Sequence, residues 1–471
     1  MLTEIEFRGR ASMDVFRRLR HLRHVVFLDS ARFHPAHGRF SFLAADPLLT
    51  ITARNHAIEI GGPAGRRSME GNPWEIFESL LTRFRLPPLK NDLQLPLGAA
   101  IGYFGYDLNR HLECLASPPA APLPAPDLWF GFYDSLFAFD HQERRAWLVT
   151  SGLDENGVPC AARAAFRRDQ LLDELQSDPA IVFPPAALSK TIGPLRSKTD
   201  HESAVRKALG YIRRGDVYQV NLAHPFSGTA RDSAFDLYLQ LRENNPAPFG
   251  AYLDFGPGQI LSSSPERFLR MERREIQARP IKGTCPRVGD SRTDWAQANA
   301  LMRSAKNKAE LLMITDLLRN DLGKVAEYGS VAVPHLAQCE EYETVFHLVS
   351  TVTARLRPHL FHLDTLMACF PGGSITGAPK VRAMEIIHEL EPWGRGIYTG
   401  ALGYFGFNGV SDFNILIRTL LYQQGHVCFH VGGGIVVDSD PSLEYEETIH
   451  KARALLGLWQ PAVLKVSRAS A

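Results

Sequence analysis

Short apolar runs and helical patterns mix along this chain without the regular alternation of strand and crossover helix that a parallel sheet requires. That points to an α+β fold of largely antiparallel sheets flanked by helices. In the first third, runs such as Val25 to Leu28, Phe40 to Ala44, Ala99 to Tyr106, Leu128 to Tyr133 and Trp147 to Thr150 are each broken by Gly, Pro, Asn or Asp. Helical spacing recurs near Asp14 to Arg20, Pro73 to Phe84 and Ala161 to Leu175. Between Ser177 and Ser197 the composition shifts to prolines (Pro179, Pro184, Pro185, Pro194) and small residues. With 471 residues available, the chain has room for two domains or one interleaved one. The shift divides it into 1–176, 198–458 and a tail, 459–471.

Beyond the shift, Thr199-x-x-Glu202 reads as a capping box for a helix to about Arg213. Val217 to Leu222, Ala251 to Leu253, Ile260-Leu261, Phe413 to Leu421 and Val427 to Val431 read as strands. Helices are expected at Lys306 to Leu322, with Leu311, Ile314, Leu318 and Leu322 on one side, and at Ala378 to Leu390 before Pro392. The last helix begins at an N-cap, Asp440, with Pro441 in the first helical position, and extends to about Leu456.

Charge and cysteine usage narrow the function. Lysine plus arginine (52) nearly cancels aspartate plus glutamate (51), and no basic run is interleaved with aromatics, so a small-molecule ligand is expected rather than nucleic acid. Cys114, Cys160, Cys285, Cys339, Cys369 and Cys428 stand singly, which argues against zinc and against a disulfide framework. No basic leader and no apolar run of membrane-crossing length is found, so a cytoplasmic location is expected.

Several constellations carry chemistry. Lys282 lies in Arg279-Pro280-Ile281-Lys282-Gly283-Thr284; a neighbouring cation and partial desolvation would favour its neutral, nucleophilic amine. Glu444, Glu447 and Lys451 share one stripe of the last helix. That helix follows Val431-Gly432-Gly433-Gly434-Ile435, where glycines interrupt an apolar strand, as close approach of a ligand would require. Backbone amides and two carboxylates there suit a hard cation such as magnesium bridging to an acidic substrate, and a solvated salt-bridge face is the alternative. Glu310 is a similar carboxylate near a helix start, where the helix dipole could equally explain it. The loop Phe370 to Lys380 enters a helix without the Lys-Ser/Thr of a nucleotide loop, so its amides suit an organic carboxylate. Arg418 on a strand is either the matching clamp or an outward arginine. Glu266 is either a general acid or a turn carboxylate paired with Arg267. His347 is either catalytic or a core histidine.

Ser264-Pro265-Glu266-Arg267, Pro280 to Thr284, Ala309 to Asp321 with Glu310, Gly372 to Lys380, and Gly432-Gly433-Gly434 followed by Glu444 to Lys451 resemble, in order, the motifs of the chorismate-utilising enzymes. That family includes anthranilate synthases, isochorismate and salicylate synthases, and aminodeoxychorismate synthases. The match runs from about Lys198 to Leu458; Phe27 to Ser30, Gly38 to Ser41 and Gly102 to Asp107 match more loosely.

Pro-Ile-Lys-Gly-Thr resembles the aminodeoxychorismate synthase large subunits, whereas the resemblance implies a small residue in place of Lys282 in anthranilate synthases. On that resemblance Lys282 attacks C2 of chorismate, Glu266 protonates the departing C4 hydroxyl, and His347 transfers or orients a proton. Magnesium sits on Glu310 and Glu447 with Glu444 close by. Arg418 and Tyr398 clamp the enolpyruvyl carboxylate. Thr376, Gly377, Ala378, Gly432 and Gly433 cradle the substrate, and Lys451 balances charge. No cysteine lies in a Gly-x-Cys-x-Gly setting, so a separate glutamine amidotransferase subunit is implied as the ammonia source, in 4-aminobenzoate and folate synthesis. Ser30, Arg39, Phe40, Ser41, Pro248 and Phe249 resemble the family's L-tryptophan site. The rivals are anthranilate synthase component I, isochorismate or salicylate synthesis, and a non-catalytic chorismate- or tryptophan-binding subunit.

Overall fold

In the computed structural model, residues 1–5, 11–34, 37–87, 95–176, 191–341 and 345–459 are described. Most of the expected linker (177–190) and nearly all of the expected tail (460–471) lie outside them.

Among the described residues, two sheets of twelve strands each dominate, and every ladder is antiparallel. The first sheet runs from edge strand Leu2–Ile5 through Arg145–Thr150, Ser135–Asp140, Phe40–Ala44 and Val26–Asp29. It continues into Phe249–Asp254, Gln259–Ser264, Thr419–Gln423, His426–Ile435, Gln219–Thr229 and Thr191–Pro194. The second runs from Ile281–Pro286 through Val345–Arg355, Glu275–Ala278, Arg267–Glu272, Val410–Ile415 and Ala401–Gly406. It ends with Ala99–Phe104, Leu128–Tyr133, Leu49–Arg54, Ala57–Gly62 and Gly65–Glu70.

The expected division into separate units at 1–176 and 198–458 is therefore not how the sheets are built. Each sheet takes strands from both stretches, and the seams Val26–Asp29 to Phe249–Asp254 and Ala99–Phe104 to Ala401–Gly406 are full ladders. A composition shift says nothing about which strands pair across it.

The sheets face each other through a core in which Val26, Phe42, Leu253 and Ile260 of one meet Ile101, Tyr103, Trp129 and Leu402 of the other. On the outer face of the first sheet, helices Ala11–Leu19, Ala161–Gln176, Ala234–Asn244 and Pro441–Leu456 bury Phe16, Leu171, Leu237 and Leu455. Helices Pro73–Arg83, Ala305–Gly323 and His362–Cys369 do the same for the second, through Phe77, Leu318 and Leu366. Helices Ala234–Asn244 and His362–Cys369 were not expected from the sequence.

Local corrections follow from capping and register. The N-cap of helix Lys198–Arg213 is Ser197, whose Oγ accepts from the Asp200 N–H at 3.1 Å; Thr199 lies inside the first turn. The helix expected from Ala378 begins at Lys380, because Gly377-Ala378 pairs as a short strand with Gln219-Val220. The apolar run Phe413 to Leu421 is two strands in different sheets, Val410–Ile415 and Thr419–Gln423, with Arg418 at φ 50° between them.

Candidate active site

The crossing of the chain between sheets at Leu416 to Arg418 places one arginine at the seam. Arg418 keeps accessible surface, yet that surface opens into a concave cleft with Arg279, Glu340 and His347 on its wall. Desolvation there lowers its pKa, while Glu266 nearby opposes the shift. Glu266 follows strand Gln259–Ser264 at the turn into Arg267–Glu272. It is not paired with Arg267, whose guanidinium grips both oxygens of Asp412 at 2.9 Å. Its Oε1 instead accepts from Ser374 Oγ at 3.0 Å. Burial pushes the Glu266 carboxyl up to about 7, against the pull of Ser374, Lys282 and Arg418. A carboxyl poised near neutrality can give a proton at physiological pH.

Lys282 is on strand Ile281–Pro286, immediately before a bulge at Gly283, whose φ is +74°. Contrary to the expectation from sequence, Arg279 is not the charge beside Lys282. Arg279 is ion-paired with Glu340, and on an extended chain residues three apart point to opposite faces. The charge nearest to Lys282 is a carboxylate, Glu310, with Nζ 3.7 Å from Oε2 and both side chains largely buried. Glu310 is not in the first turn of its helix, Ala305–Gly323: that turn is capped by Ser304 Oγ, and Glu310 lies in the second, facing the lysine. His347, on Val345–Arg355 opposite Thr284, has a pKa lowered to about 4 by burial and by Arg418 and Arg32, so its ring is neutral across the physiological range.

The stripe on helix Pro441–Leu456 is present. Lys451 Nζ is 2.7 Å from Glu447 Oε1 and donates to Gly432 O at 2.9 Å. Glu444 accepts from Ser439 Oγ at 2.5 Å. Burial raises the Glu444 pKa, with Glu447 adding to it; Glu447 is held low because Lys451, Lys306 and Lys282 outweigh desolvation. A Cβ placed on Gly433 would stand 3.2 Å from Glu444 Oε2, so the missing side chain is what leaves room in front of these carboxylates. Glu310, Glu444 and Glu447 are an all-oxygen donor set of the kind that suits a hard cation. Among the described residues no three ligating groups already converge: each carboxylate has a lysine or serine partner instead.

Thr376, Gly377 and Ala378 are buried beside this strand: Asn221 N–H donates to Thr376 O at 2.7 Å, and Asn221 pairs with Gly434 on its other edge. Tyr398 is buried and its ring stacks on His430 at 5.3 Å. Ser374 and the buried pair Glu391–Arg395 were not singled out by sequence; Ser374 lay within the glycine loop, and Arg395 between two glycines was the available signal.

The residues resembling a tryptophan site meet at a separate cavity of about 180 Å³ between the sheets, lined by Ser30, Arg39, Phe40, Pro248 and Phe249. Ser41 supports it from behind: its Oγ accepts from Ser30 N–H at 3.0 Å. Arg39 is held by Asp140 at 2.6 Å.

This arrangement can be set against known proteins. A family model described as chorismate binding enzyme matches residues 28–457. The chain belongs to the chorismate-binding enzyme family. Aminodeoxychorismate synthase component 1 of Klebsiella aerogenes is 41% identical over 92% of this chain and 92% of its own length. The protein of the same name from Escherichia coli K12 is 41% identical over 96% of each chain. The crystal structure of anthranilate synthase component I from Streptococcus pneumoniae superimposes with a TM-score of 0.78 at 32% identity, covering 90% of this chain and 93% of that one. In this chorismate-binding enzyme, the lysine, the carboxylates and the glycine strand therefore stand on a fold shared by both kinds of relative.

Proposed function

We propose that this chain is the large subunit of an aminodeoxychorismate synthase, a transferase that makes 4-amino-4-deoxychorismate from chorismate and ammonia. The observation that carries the reading is Lys282 within electrostatic reach of Glu266, a carboxyl near neutrality.

The Lys282–Glu310 pair opens and the ammonium gives a proton to solvent. Nζ attacks C2, the ring double bonds shift, and the C4–O bond breaks as Glu266 donates its proton, releasing water. Ammonia then adds at C4, the double bonds return, and the C2–Nζ bond breaks. The ionised Glu266 takes the surplus proton from the new ammonium and the released Lys282 amine recovers one from solvent, so enzyme and charge are restored. His347, being neutral, orients rather than supplies a proton. Arg418 and Tyr398 hold the enolpyruvyl carboxylate, and the Thr376 to Ala378 turn with Gly432-Gly433 supports the ring side. Glu310, Glu444 and Glu447 would hold magnesium, which supplies Lewis-acid polarisation of the ring carboxylate when bound; Lys451 balances their charge.

The ammonia source is a glutamine amidotransferase subunit, in keeping with the component 1 designation of the relatives, and the product feeds 4-aminobenzoate and folate synthesis. The cavity at Ser30 and Phe249 takes L-tryptophan. A cytoplasmic setting fits the chemistry, and among the described residues no helix is long and apolar enough to cross a membrane.

The test is product analysis by mass spectrometry with chorismate, magnesium and ammonium at alkaline pH, with Lys282→Ala alongside. Aminodeoxychorismate from the wild type, lost or replaced by anthranilate in the variant, supports the reading. Anthranilate from the wild type overturns it.

A further inference from the structure

Strand Gln219–Thr229 has the glycine strand His426–Ile435 on one edge, with Leu222 opposite Gly433 and Ala223 opposite Gly432. Its other edge is assembled from unrelated pieces. Gln219 and Val220 pair with Ala378 and Gly377, and Asn221 N–H donates to Thr376 O. At the far end, Leu195 N–H reaches Pro225 O and Thr191–Pro194 pairs with residues 226–229. Between them no strand is present among the described residues, and buried backbone groups there need partners.

The partners are one ion pair. Arg395 Nη2 donates to Asn221 O at 2.9 Å, and Glu391 Oε1 accepts from Ala223 N–H at 2.8 Å. The two side chains are themselves joined at 2.7 and 2.8 Å. Arg395 Nη1 also donates to Ile375 O at 3.0 Å and to Thr399 Oγ1 at 3.2 Å, and that hydroxyl donates to Tyr398 O at 2.5 Å. Arg395 is 2% exposed and Glu391 5%, so each charge depends on the other and on these bonds. Breaking such a pair from one side leaves a buried charge.

Every backbone group this pair holds adjoins the cradle: Ile375 precedes Thr376, Asn221 bonds to Thr376 O, and Ala223 stands opposite Gly432. We propose that the Arg395–Glu391 pair is a positioning element for substrate: it takes the place of a missing strand and fixes the 373–378 turn, the glycine strand and Tyr398 relative to one another. Arginine is required because a planar fork can reach Glu391, Asn221 O and Ile375 O together, whereas an ammonium on a flexible stem cannot hold all three directions at once. The inference rests on the reading that this cradle takes chorismate, whichever product is made.

The test compares Arg395→Lys, which keeps the charge and loses the fork, with Leu148→Ala, a core truncation in strand Arg145–Thr150, second from the edge of the first sheet, that destabilises without touching the cradle. Chorismate affinity is read by calorimetry in magnesium, KM and kcat by turnover with ammonium, and folding by circular dichroism and thermal melting. The expected result is a folded Arg395→Lys whose Kd and KM for chorismate rise at least tenfold, while Leu148→Ala lowers the melting temperature and leaves both within twofold. A folded Arg395→Lys with unchanged Kd and KM, losing only kcat in proportion to its active fraction, would make the pair merely structural and overturn the proposal. Should Arg395→Lys not fold, Glu391→Gln decides by the same criterion, since it keeps an acceptor for Ala223 N–H; a rise of threefold or more in Kd supports the proposal and an unchanged Kd overturns it. Wild type that binds chorismate but yields a different product overturns the amination reading alone, and wild type that does not bind chorismate removes the cradle and this inference with it.

Discussion

Replacing Glu266 by glutamine should make the protein less active and more stable, and the gain should depend on pH in a stated direction. The carboxyl is raised from 4.5 to about 7 in the folded state, chiefly by burial. Below pH 4.5 it is protonated in both states and costs nothing; as pH rises towards 7 the unfolded chain ionises first, so stability is lost through that window and the loss is complete above it. At about 1.4 kcal/mol per tenfold, the interval corresponds to about 3 kcal/mol at most, with solvent in the cleft reducing it. Thermal melts of both proteins between pH 4.5 and 8.5 should show curves that coincide at the acid end, separate between pH 4.5 and about 7 and stay a constant distance apart above it, with Glu266→Gln higher. Amination at pH 8 and fixed free ammonia should fall about 10²–10⁴-fold, the range for loss of a general acid. A variant less stable than wild type at pH 8, or within a few-fold of its activity, would refute both the burial argument and the role.

Arg418→Gln should raise the KM for chorismate about 10- to 100-fold, the loss of one charge-assisted hydrogen bond of about 1.5–3 kcal/mol, with the fold intact by circular dichroism; an unchanged KM would exclude it from the clamp. Gly433→Ala places a methyl 3.2 Å from Glu444 Oε2, so the magnesium concentration for half-maximal activity should rise at least tenfold while the melting temperature shifts little. Lys282, Lys306 and Lys451 oppose three carboxylates, Glu310, Glu444 and Glu447, so a dianion and a dication entering together leave the site's charge unchanged. Calorimetry should therefore show chorismate binding about tenfold tighter with magnesium than with EDTA, and magnesium tighter by the same factor with chorismate.

What could be read from sequence was what local pattern encodes. Asp440-Pro441 caps the last helix as expected, accepting from Ser442 and Leu443, and the i, i+3, i+7 stripe of Glu444, Glu447 and Lys451 needs only helical periodicity to be seen. The Lys282 environment was misjudged because sequence neighbours are poor guides to charge neighbours on a strand: Glu310, 28 positions away, faces the amine, while Arg279 is engaged by Glu340. Arg418 was placed inside one strand because an apolar run does not show where a chain leaves one sheet for another; a positive φ at a non-glycine residue is visible only in the fold. The Glu391–Arg395 pair lies just past a helix end, and its meaning lies in Asn221, Ala223 and Ile375, which no local pattern connects to it.

The interleaving of the two sheets accounts for where the chemistry stands. Glu266 lies at the passage from a first-sheet strand to a second-sheet strand, and Arg418 lies at the return passage, so the two residues proposed as acid and clamp sit at neighbouring crossings of the same seam. Lys282 comes from the far edge of the second sheet and the glycine strand from the first. A backbone leaving a sheet has groups without ladder partners, and these must be met by side chains or by ligand; Ser264 Oγ to Ile415 O at 2.7 Å and Ser263 N–H to Arg418 O at 3.1 Å show the protein meeting them at this seam. Rigid strands end there, so the side chains they carry are fixed on one end and open to the cleft on the other. That is the arrangement a site needs when it must hold a small dianion still while bonds form at C2 and break at C4.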